Sequence, residues 1–236
     1  MTLSCIAFIF ARGGSKGLPG KNKKLLNGIP LLAHSIIMAK KSPSISHVIV
    51  STEDNELAEI GREFGAEVPF IRPKELASDN SPEWLSWQHA ITEVQKTYGQ
   101  FDVFVSLPPT APLRSVEDVE ACISLLKEDI DVVVTCTEAA RNPYFNMLRA
   151  VEKNKYEIAF KPEVPFSRRQ DAPSFFDMTT VAYVSRPSFI LNNSGLFDGN
   201  VDAHIVPTER AIDIDTIFDF KVAELMCNLE KVYRDD

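Results

Sequence analysis

Ser4-Cys5-Ile6-Ala7-Phe8-Ile9-Phe10-Ala11-Arg12-Gly13-Gly14-Ser15-Lys16-Gly17-Leu18-Pro19-Gly20-Lys21-Asn22 decides how this chain folds. Residues 4–11 form a continuous apolar run, which fits a central strand buried on both faces. The run then breaks into glycines and cations. In open α/β sheets, ligands bind at loops beyond the C-terminal ends of parallel strands. Glycines let backbone N–H groups converge on an anion without a Cβ in the way. Arg12 and Lys21 can neutralise a triphosphate, and the Asn22 amide can read a base edge or a ribose. Neither generic phosphate motif fits the letters. A Walker A loop ending at Gly20-Lys21 needs glycine at Ser15 and Ser or Thr at Asn22, and the G-x-G-x-x-G pattern fails on spacing.

The charge distribution supports the same reading. The net charge is −8, which argues against a nucleic-acid surface. Yet the first 52 residues hold seven basic residues and no acidic one, and five of the seven (Arg12, Lys16, Lys21, Lys23, Lys24) fall in one short segment. An acidic protein with one basic focus is suited to hold a small polyanion at one place. A solvated charge run would explain the cations but not the glycines between them.

Further along, strand and helix patterns alternate, as in a mostly parallel sheet. A helix opens at Pro30 and ends near Lys41, His47–Ser51 is a strand, and a helix over 53–64 has Gly65 as its C-cap. Ser81-Pro82 starts a helix with Trp84, Trp87, Ile91, Val94 and Tyr98 on one stripe. Phe101–Leu107 and Asp131–Thr137 are strands, and Ser115 with Asp118 between them makes a capping box. After Asn142 the pattern turns to a hairpin, Tyr144–Val151 with Tyr156–Phe160, and then a proline-rich arm. Thr179–Ser185 and Ala203–Val206 return as strands. A final helix carries Phe218, Val222, Leu225, Leu229 and Val232 on one stripe. One α/β domain over 1–236 with a β-rich insertion at about 142–178 accounts for the whole chain.

Asp213-Ile214-Asp215 precedes that last helix. In extended backbone, residues two apart point to the same side. Two adjacent carboxylates repel unless a cation lies between them, and Mg²⁺ is held by one or two carboxylates together with substrate phosphates. Helix capping explains Asp215 but leaves Asp213 without a role. Cys5, Cys122, Cys136 and Cys227 lack metal or disulfide spacing and read as reduced cysteines of a cytoplasmic protein. No apolar run reaches the ~18 residues of a membrane helix, and the apolar N-terminus reads as a strand, not a signal peptide. His34 and His89 read as packed or surface histidines, not catalysts.

Taken in order, Ala11–Gly17 with Lys21-Asn22, Arg72-Pro73 with Leu76–Asp79, Pro109–Arg114, Arg169-Gln170 and Ile212–Thr216 resemble the signature segments of the acylneuraminate cytidylyltransferases, the CMP-sialic acid synthetases. The resemblance covers essentially the whole chain. It implies a three-layer α/β sandwich of the nucleotide-diphospho-sugar transferase type, with a mostly parallel sheet and an inserted β-rich dimerisation arm. It also implies a homodimer and Mg²⁺-dependent transfer of CMP from CTP to a 2-keto-3-deoxy sugar acid. By matching positions, Arg12, Lys21, Asp213 and Asp215 would be catalytic, the two aspartates as metal ligands. Ala11, Arg12, Gly13, Gly14, Ser15, Lys21, Asn22, Arg72 and Ser81 would bind the nucleotide.

The chain departs from the sialic-acid pattern where the sugar should sit. Pro108 replaces the usual glutamine, Asp177–Val181 replaces Arg-Pro-Asn-Gly-Ala, and Arg141–Asn146 replaces a shorter basic stretch. These segments look like the branch that activates legionaminic or pseudaminic acids. Pro108, Tyr144, Phe145, Asn146, Arg169, Gln170, Asp177 and Thr179 are the sugar-binding candidates. Activation of the eight-carbon acid Kdo, or nucleotide binding without turnover, are the rival readings.

Overall fold

The apolar run at 4–11 becomes the strand β1 (Cys5–Phe10), and its alternation organises the molecule. This is a computed structural model, and it describes residues 3–15, 17–164, 166 and 168–234. Two short strands, β2 (Leu25–Leu26) and β3 (Ile29–Pro30), lead into α1 (Leu31–Ala39), then β4 (Ile45–Ser51) and α2 (Asn55–Glu63). The chain continues through α3 (Glu83–Tyr98), β5 (Val103–Ser106), α4 (Val116–Leu125) and β6 (Val132–Glu138). The hairpin β7 (Leu148–Glu152) and β8 (Lys155–Ile158) comes next. It is followed by β9 (Phe176–Ser185), α5 (Pro187–Asn192), β10 (Val201–Ile205) and α6 (Ile217–Arg234).

The main sheet runs β10-β6-β9-β5-β1-β4. β4, β1 and β5 are parallel, β10 is parallel to β6, and only β9 runs against its neighbours. Successive side chains of a strand point to opposite faces. Cys5, Ala7 and Ile9 therefore join one core with Leu32 and Ile36 of α1, Leu57 of α2, and Val119 and Cys122 of α4. Ile6 and Phe8 join the other with Trp84, Trp87, Ile91 and Val94 of α3 and Ile190 of α5. The apolar run has no alternation because both faces are covered, and the result is the three-layer α/β sandwich with a mostly parallel sheet.

Cys5, Cys122 and Cys136 are buried free thiols. Desolvation pushes the Cys5 thiol up to about 11 and that of Cys122 to about 12, so neither is a nucleophile at neutral pH. His34 Nε2 donates to the Leu26 carbonyl at 3.0 Å, and His89 packs edge-on to Phe70.

Three sequence expectations are corrected here. The last helix docks through Phe220, Ala223 and Cys227 onto Leu18, Leu26, Leu31 and Ile214. The apolar stripe read from the sequence instead faces outward, with Phe218, Leu225 and Leu229 exposed. The helix's amphipathic pattern thus has two apolar faces, and the chain itself covers only the narrower one. Second, residues 176–178 belong to the main sheet, where they pair with Glu138, Thr137 and Cys136, so the excursion from the sheet closes before Phe176. Third, the cap of α6 is Thr216, not Asp215. Asp219 accepts from the Thr216 amide at 2.7 Å, while the Asp219 amide donates back to the Thr216 hydroxyl at 3.3 Å.

β9 carries a local expansion that shapes the site. Val134 faces Tyr183, but the next residue, Thr135, faces Thr179, so Thr180–Ala182 bulge out of register. The buried Thr135 hydroxyl fills the gap. It accepts from the Ala182 amide at 3.2 Å and lies 3.3 Å from the Thr179 and Ala182 carbonyls.

On the other side of the sheet, Asp118 in the α4 capping box accepts two hydrogen bonds from Arg210, at 2.8 and 2.9 Å. Burial alone would raise this carboxyl, but the Arg210 and Ser115 hydrogen bonds and the Arg210 charge outweigh it and hold it below the usual aspartate value. A depressed folded-state pKa stabilises the fold above the unfolded value and loses that contribution as pH falls through the folded value. Asp118→Asn is therefore expected to cost about 3 kcal/mol at neutral pH. The deficit relative to wild type should shrink below pH 4 in denaturant titrations run across pH.

Candidate active site

Because β1 and β4 are parallel neighbours, their C-terminal loops lie side by side. The basic segment of the first meets the acids of the second. The Gly13 amide donates to Glu53 Oε1 at 2.7 Å, and Glu53 Oε2 accepts from Arg72 Nη2 at 2.8 Å. Lys23 pairs with Asp54 at 2.9 Å and with Glu56. Asp54 also caps α2 by accepting from Glu56 and Leu57. The loop's own positive charge is thereby anchored from below by residues 53–56, which the sequence reading passed over. The signal was there: the first acids in the chain come directly after the strand that pairs with β1.

Above these contacts opens a cavity of about 620 Å³. Arg12, Ser15, Gly17, Lys21 and Asn22 line it from the glycine-rich loop, and Arg72 and Ser81 from the 72–83 segment. Asp213 and Asp215 line it from the chain before α6. The spacing argument for the two aspartates holds in the fold. Ile214 is fully buried against Leu18, Leu26 and Leu31, its amide donates to the Thr110 carbonyl at 2.8 Å, and the carboxylates on either side of it turn to the cavity.

Lys21 joins the two halves. Its Nζ donates to the Ile214 carbonyl at 2.6 Å and to Asp215 Oδ1 at 3.0 Å. Arg12 bonds Asp79 at 2.7 Å, and Asn22 donates to the Arg12 carbonyl at 3.0 Å. Buried Arg72 also donates to the Ala11 carbonyl at 3.3 Å, and its Nε has no partner among the described residues. Ala11, Gly13 and Gly14 do not line the cavity: the Ala11 carbonyl accepts from Arg72 and the Gly13 amide is taken by Glu53; Lys16 lies outside the described residues.

Asp213 Oδ1 is buried and has no hydrogen-bond partner among the described residues. An uncompensated buried carboxylate oxygen is costly, and a cation at that position would satisfy it. No cluster of three or more metal-binding side chains exists among the described residues. Two carboxylates leave most of a coordination sphere to phosphate and water, which suits Mg²⁺. The residues present therefore fit the metal.

Of the sugar-binding candidates, Pro108 lines the cavity. Its carbonyl is held by the buried Arg114, which also donates to Ser35 Oγ at 2.6 Å and to the Thr180 carbonyl at 3.4 Å. Thr179 is corrected. Its hydroxyl is buried and donates to Thr135 at 2.8 Å, and the bulge hands the cavity position to Thr180. Asp177 lies on β9 opposite Thr137, outside the cavity lining. Tyr144 packs on Phe160, Phe166 and Phe175, Phe145 on Phe166, and Asn146 accepts from the Asn142 amide at 2.6 Å. Gln170 borders a separate hollow at the root of the arm. A single chain does not bring these arm residues to the cavity, and the Arg169 side chain lies outside the described residues.

The sequence reading missed Tyr183 and Glu83, which also line the cavity. Burial, then the charges of Glu83 and Asp213, push the Tyr183 phenol up to about 12, so it stays a neutral donor.

The cytidylyltransferase family model matches residues 6–190, which takes in both the glycine-rich loop and the 72–83 wall. The chain belongs to the cytidylyltransferase family. As a cytidylyltransferase it is a nucleotidyltransferase enzyme, and its relatives narrow the setting. It is 34% identical to the post-translational flagellin modification protein B of Campylobacter coli over 92% of each chain. It is 33% identical to the CMP-N,N′-diacetyllegionaminic acid synthase of Campylobacter jejuni over 95% of each. Among solved structures, a CMP:2-keto-3-deoxy-manno-octonic acid synthetase complexed with CTP has the same fold, with a TM-score of 0.71 over 96% of this chain and 99% of the other at 17% identity.

Proposed function

We propose that this cytidylyltransferase transfers CMP from CTP to the anomeric hydroxyl of a nonulosonic acid, of the legionaminic or pseudaminic type, and releases pyrophosphate. The observation that carries this reading is one cavity shared by the glycine-rich loop and Asp213–Asp215, with a buried oxygen on Asp213 that has no partner among the described residues. The similarity to a diacetyllegionaminic acid synthase supports the choice of sugar class.

In the reaction the anomeric oxygen forms a bond to the α-phosphorus, the bridge from that phosphorus to the β-phosphate oxygen breaks, and the hydroxyl proton leaves to solvent or base. Mg²⁺, when bound by Asp213 and Asp215, would supply Lewis-acid polarisation of the α-phosphate and lower the pKa of the attacking hydroxyl. The chain's own groups do the rest. Arg12 and Ser15, which line the cavity from the loop, hold the leaving phosphates by charge and position. Lys21, already bonded to Asp215, fixes the aspartate segment against the loop and offsets charge at the α-phosphate. Tyr183 and Thr180 offer hydroxyls beside Pro108 where a sugar would sit.

A homodimer completes the proposal. The arm exposes Leu148 and Tyr156, and α6 exposes Phe218, Leu225 and Leu229. Apolar surface of this kind is typical of a subunit interface. A partner's arm would bring the sugar-binding candidates that one chain keeps away from its own cavity. The free cysteines suit the cytoplasm, and no helix among the described residues is long and apolar enough to cross a membrane.

Pyrophosphate release from CTP in the presence of Mg²⁺ and single sugar acids tests the reading. N,N′-diacetyllegionaminic acid or pseudaminic acid should give the highest kcat/KM, with N-acetylneuraminic acid lower. Preference for Kdo would overturn the sugar class. Nucleotide binding without pyrophosphate release on any acid would overturn the reaction.

A further inference from the structure

We infer that Thr135, a buried residue of β6 outside the cavity lining, is a positioning residue for the sugar-acid end of the active site, because its hydroxyl holds the β9 bulge that turns Thr180 into the cavity. The inference rests on the cytidylyltransfer reading above, which seats the sugar acid beside Pro108, Thr180 and Tyr183, and it concerns a residue to which that reading assigns no role.

Thr180 and Tyr183 both line the cavity. Residues three apart on a regular strand point to opposite faces, so an undistorted β9 could present only one of them. The bulge removes the conflict. One step along β6, from Val134 to Thr135, answers four steps along β9, from Tyr183 to Thr179. Ala182 joins the core on one face of the sheet, Val181 is buried with Ala111 and Val206, and Thr180 is left to the cavity. A bulge frees polar groups from the ladder, and here Thr135 collects them. Its hydroxyl accepts from the Thr179 hydroxyl at 2.8 Å and from the Ala182 amide at 3.2 Å. Its own proton is offered to the Thr179 and Ala182 carbonyls, each 3.3 Å away. Thr135 is fully buried, so bulk water does not compete for these groups.

The order of the sheet, β9-β5-β1-β4, places the wall that carries Thr180. The glycine-rich loop follows β1, and Arg72 is pinned beyond β4 by its amide on the Thr52 carbonyl at 2.9 Å. Pro108–Thr110 follow β5, and Thr180 belongs to β9. The loop and Arg72 therefore stand on one half of the cavity rim, and Thr180 stands on the other. Thr110 ties this second half to the reacting centre. Its hydroxyl donates to the Thr180 hydroxyl at 3.4 Å, and its carbonyl accepts from the amide of Ile214, between the two aspartates, at 2.8 Å. Arg114 holds the same wall from behind, donating to the Thr180 carbonyl at 3.4 Å and to the Pro108 carbonyl. Two neutral hydroxyls beside the aspartate segment suit the hydroxyl and acylamino groups of a sugar acid, since each can donate or accept. Without the Thr135 hydroxyl the bulge loses its inner hydrogen bonds, and Thr180 loses its fixed place beside Thr110.

Four substitutions test it. Thr135→Val keeps the shape and removes the hydroxyl, Thr135→Ser keeps the hydroxyl, and Thr180→Val removes the group that the bulge presents. Thr135→Ala also removes the hydroxyl and stands in if Thr135→Val does not fold. Steady-state kinetics are measured with CTP and with the sugar acid that the wild type uses best, each varied in turn. In Thr135→Val, kcat/KM for the sugar acid should fall by about tenfold or more while KM for CTP stays within about twofold of wild type. Thr135→Ser should recover most of the loss. The double variant Thr135→Val/Thr180→Val should be no worse than the poorer single variant, because both changes act through one hydroxyl. Losses that multiply in the double variant overturn the inference, as does an equal loss toward CTP and the sugar acid, the mark of a merely structural residue. A serine variant as poor as the valine one, or an unchanged kcat/KM for the sugar acid in Thr180→Val, also overturns it. Wild-type enzyme that releases pyrophosphate with none of the sugar acids would instead sink the parent reading, and this proposal with it.

Discussion

Asp213→Asn should cut kcat by about 10²–10³-fold, a loss of about 3–4 kcal/mol of transition-state stabilisation, while leaving the fold at least as stable as wild type. The two halves of this expectation come from the same atom. Asp213 Oδ1 is buried with no partner among the described residues, so without a bound cation its charge is a cost to folding. An amide of the same shape relieves that cost. With CTP and Mg²⁺ present the sign reverses, because the neutral amide gives up the negative charge that would hold the cation beside the phosphates. Thermal melting without ligand should therefore show an equal or higher Tm for Asp213→Asn, and the stabilisation that CTP with Mg²⁺ gives the wild type should be largely absent. Asp215→Asn should behave differently. That carboxylate is exposed and bonded to Lys21 at 3.0 Å, so the change frees a cation beside the phosphates and should cost less in kcat than the Asp213 substitution. Near-wild-type turnover by Asp213→Asn at saturating Mg²⁺ would remove the metal role from this residue.

How far such a site can be read from sequence depends on whether the relevant contacts are local. The strand over 4–11 and the loop after it are local, because an unbroken apolar run and interrupting glycines mean the same thing in most contexts. So is the aspartate pair, whose i,i+2 spacing puts both carboxylates on one side once Ile214 is buried. The capping box at Ser115 and Asp118 is a four-residue pattern and appears as expected. What escaped the sequence is set by register between distant segments. Thr179 and Thr180 differ only in which side of a bulge they occupy, and the bulge is fixed by the Thr135 hydroxyl 44 residues away in sequence. Glu53 acquires its place under the loop only because β4 pairs with β1. Glu83 is a first-turn acid of the kind helix electrostatics alone would favour; its cavity position follows from how α3 packs. The outward stripe of α6 misled for another reason. Periodicity reveals an apolar face but not which of two faces the chain itself will cover.

Gly17→Ala should reduce kcat/KM by about 10²-fold, whereas Gly14→Ala, three residues earlier in the same loop, should have little effect. Both glycines sit in the motif, and composition alone treats them alike. The structure separates them. A Cβ on Gly17 would lie 2.5 Å from the backbone carbonyl oxygen of Asp215, and one on Gly14 would meet nothing within 4 Å. Neither has the positive φ that would make alanine strained, so the difference comes from space alone. The obstructing atom at Gly17 is main chain, which cannot swing aside as a lysine end could. Relief requires the loop and the Asp213–Asp215 segment to move apart by the order of 1 Å, and Lys21 bridges that gap through the Ile214 carbonyl at 2.6 Å. Separation would stretch this bond and shift both carboxylates relative to the loop that holds the phosphates. The penalty should therefore appear mainly in kcat, with KM for the sugar acid little changed and only a modest fall in Tm. Equal kinetics for the two alanine variants would mean that the contact between loop and aspartates does not set the alignment of the reacting groups.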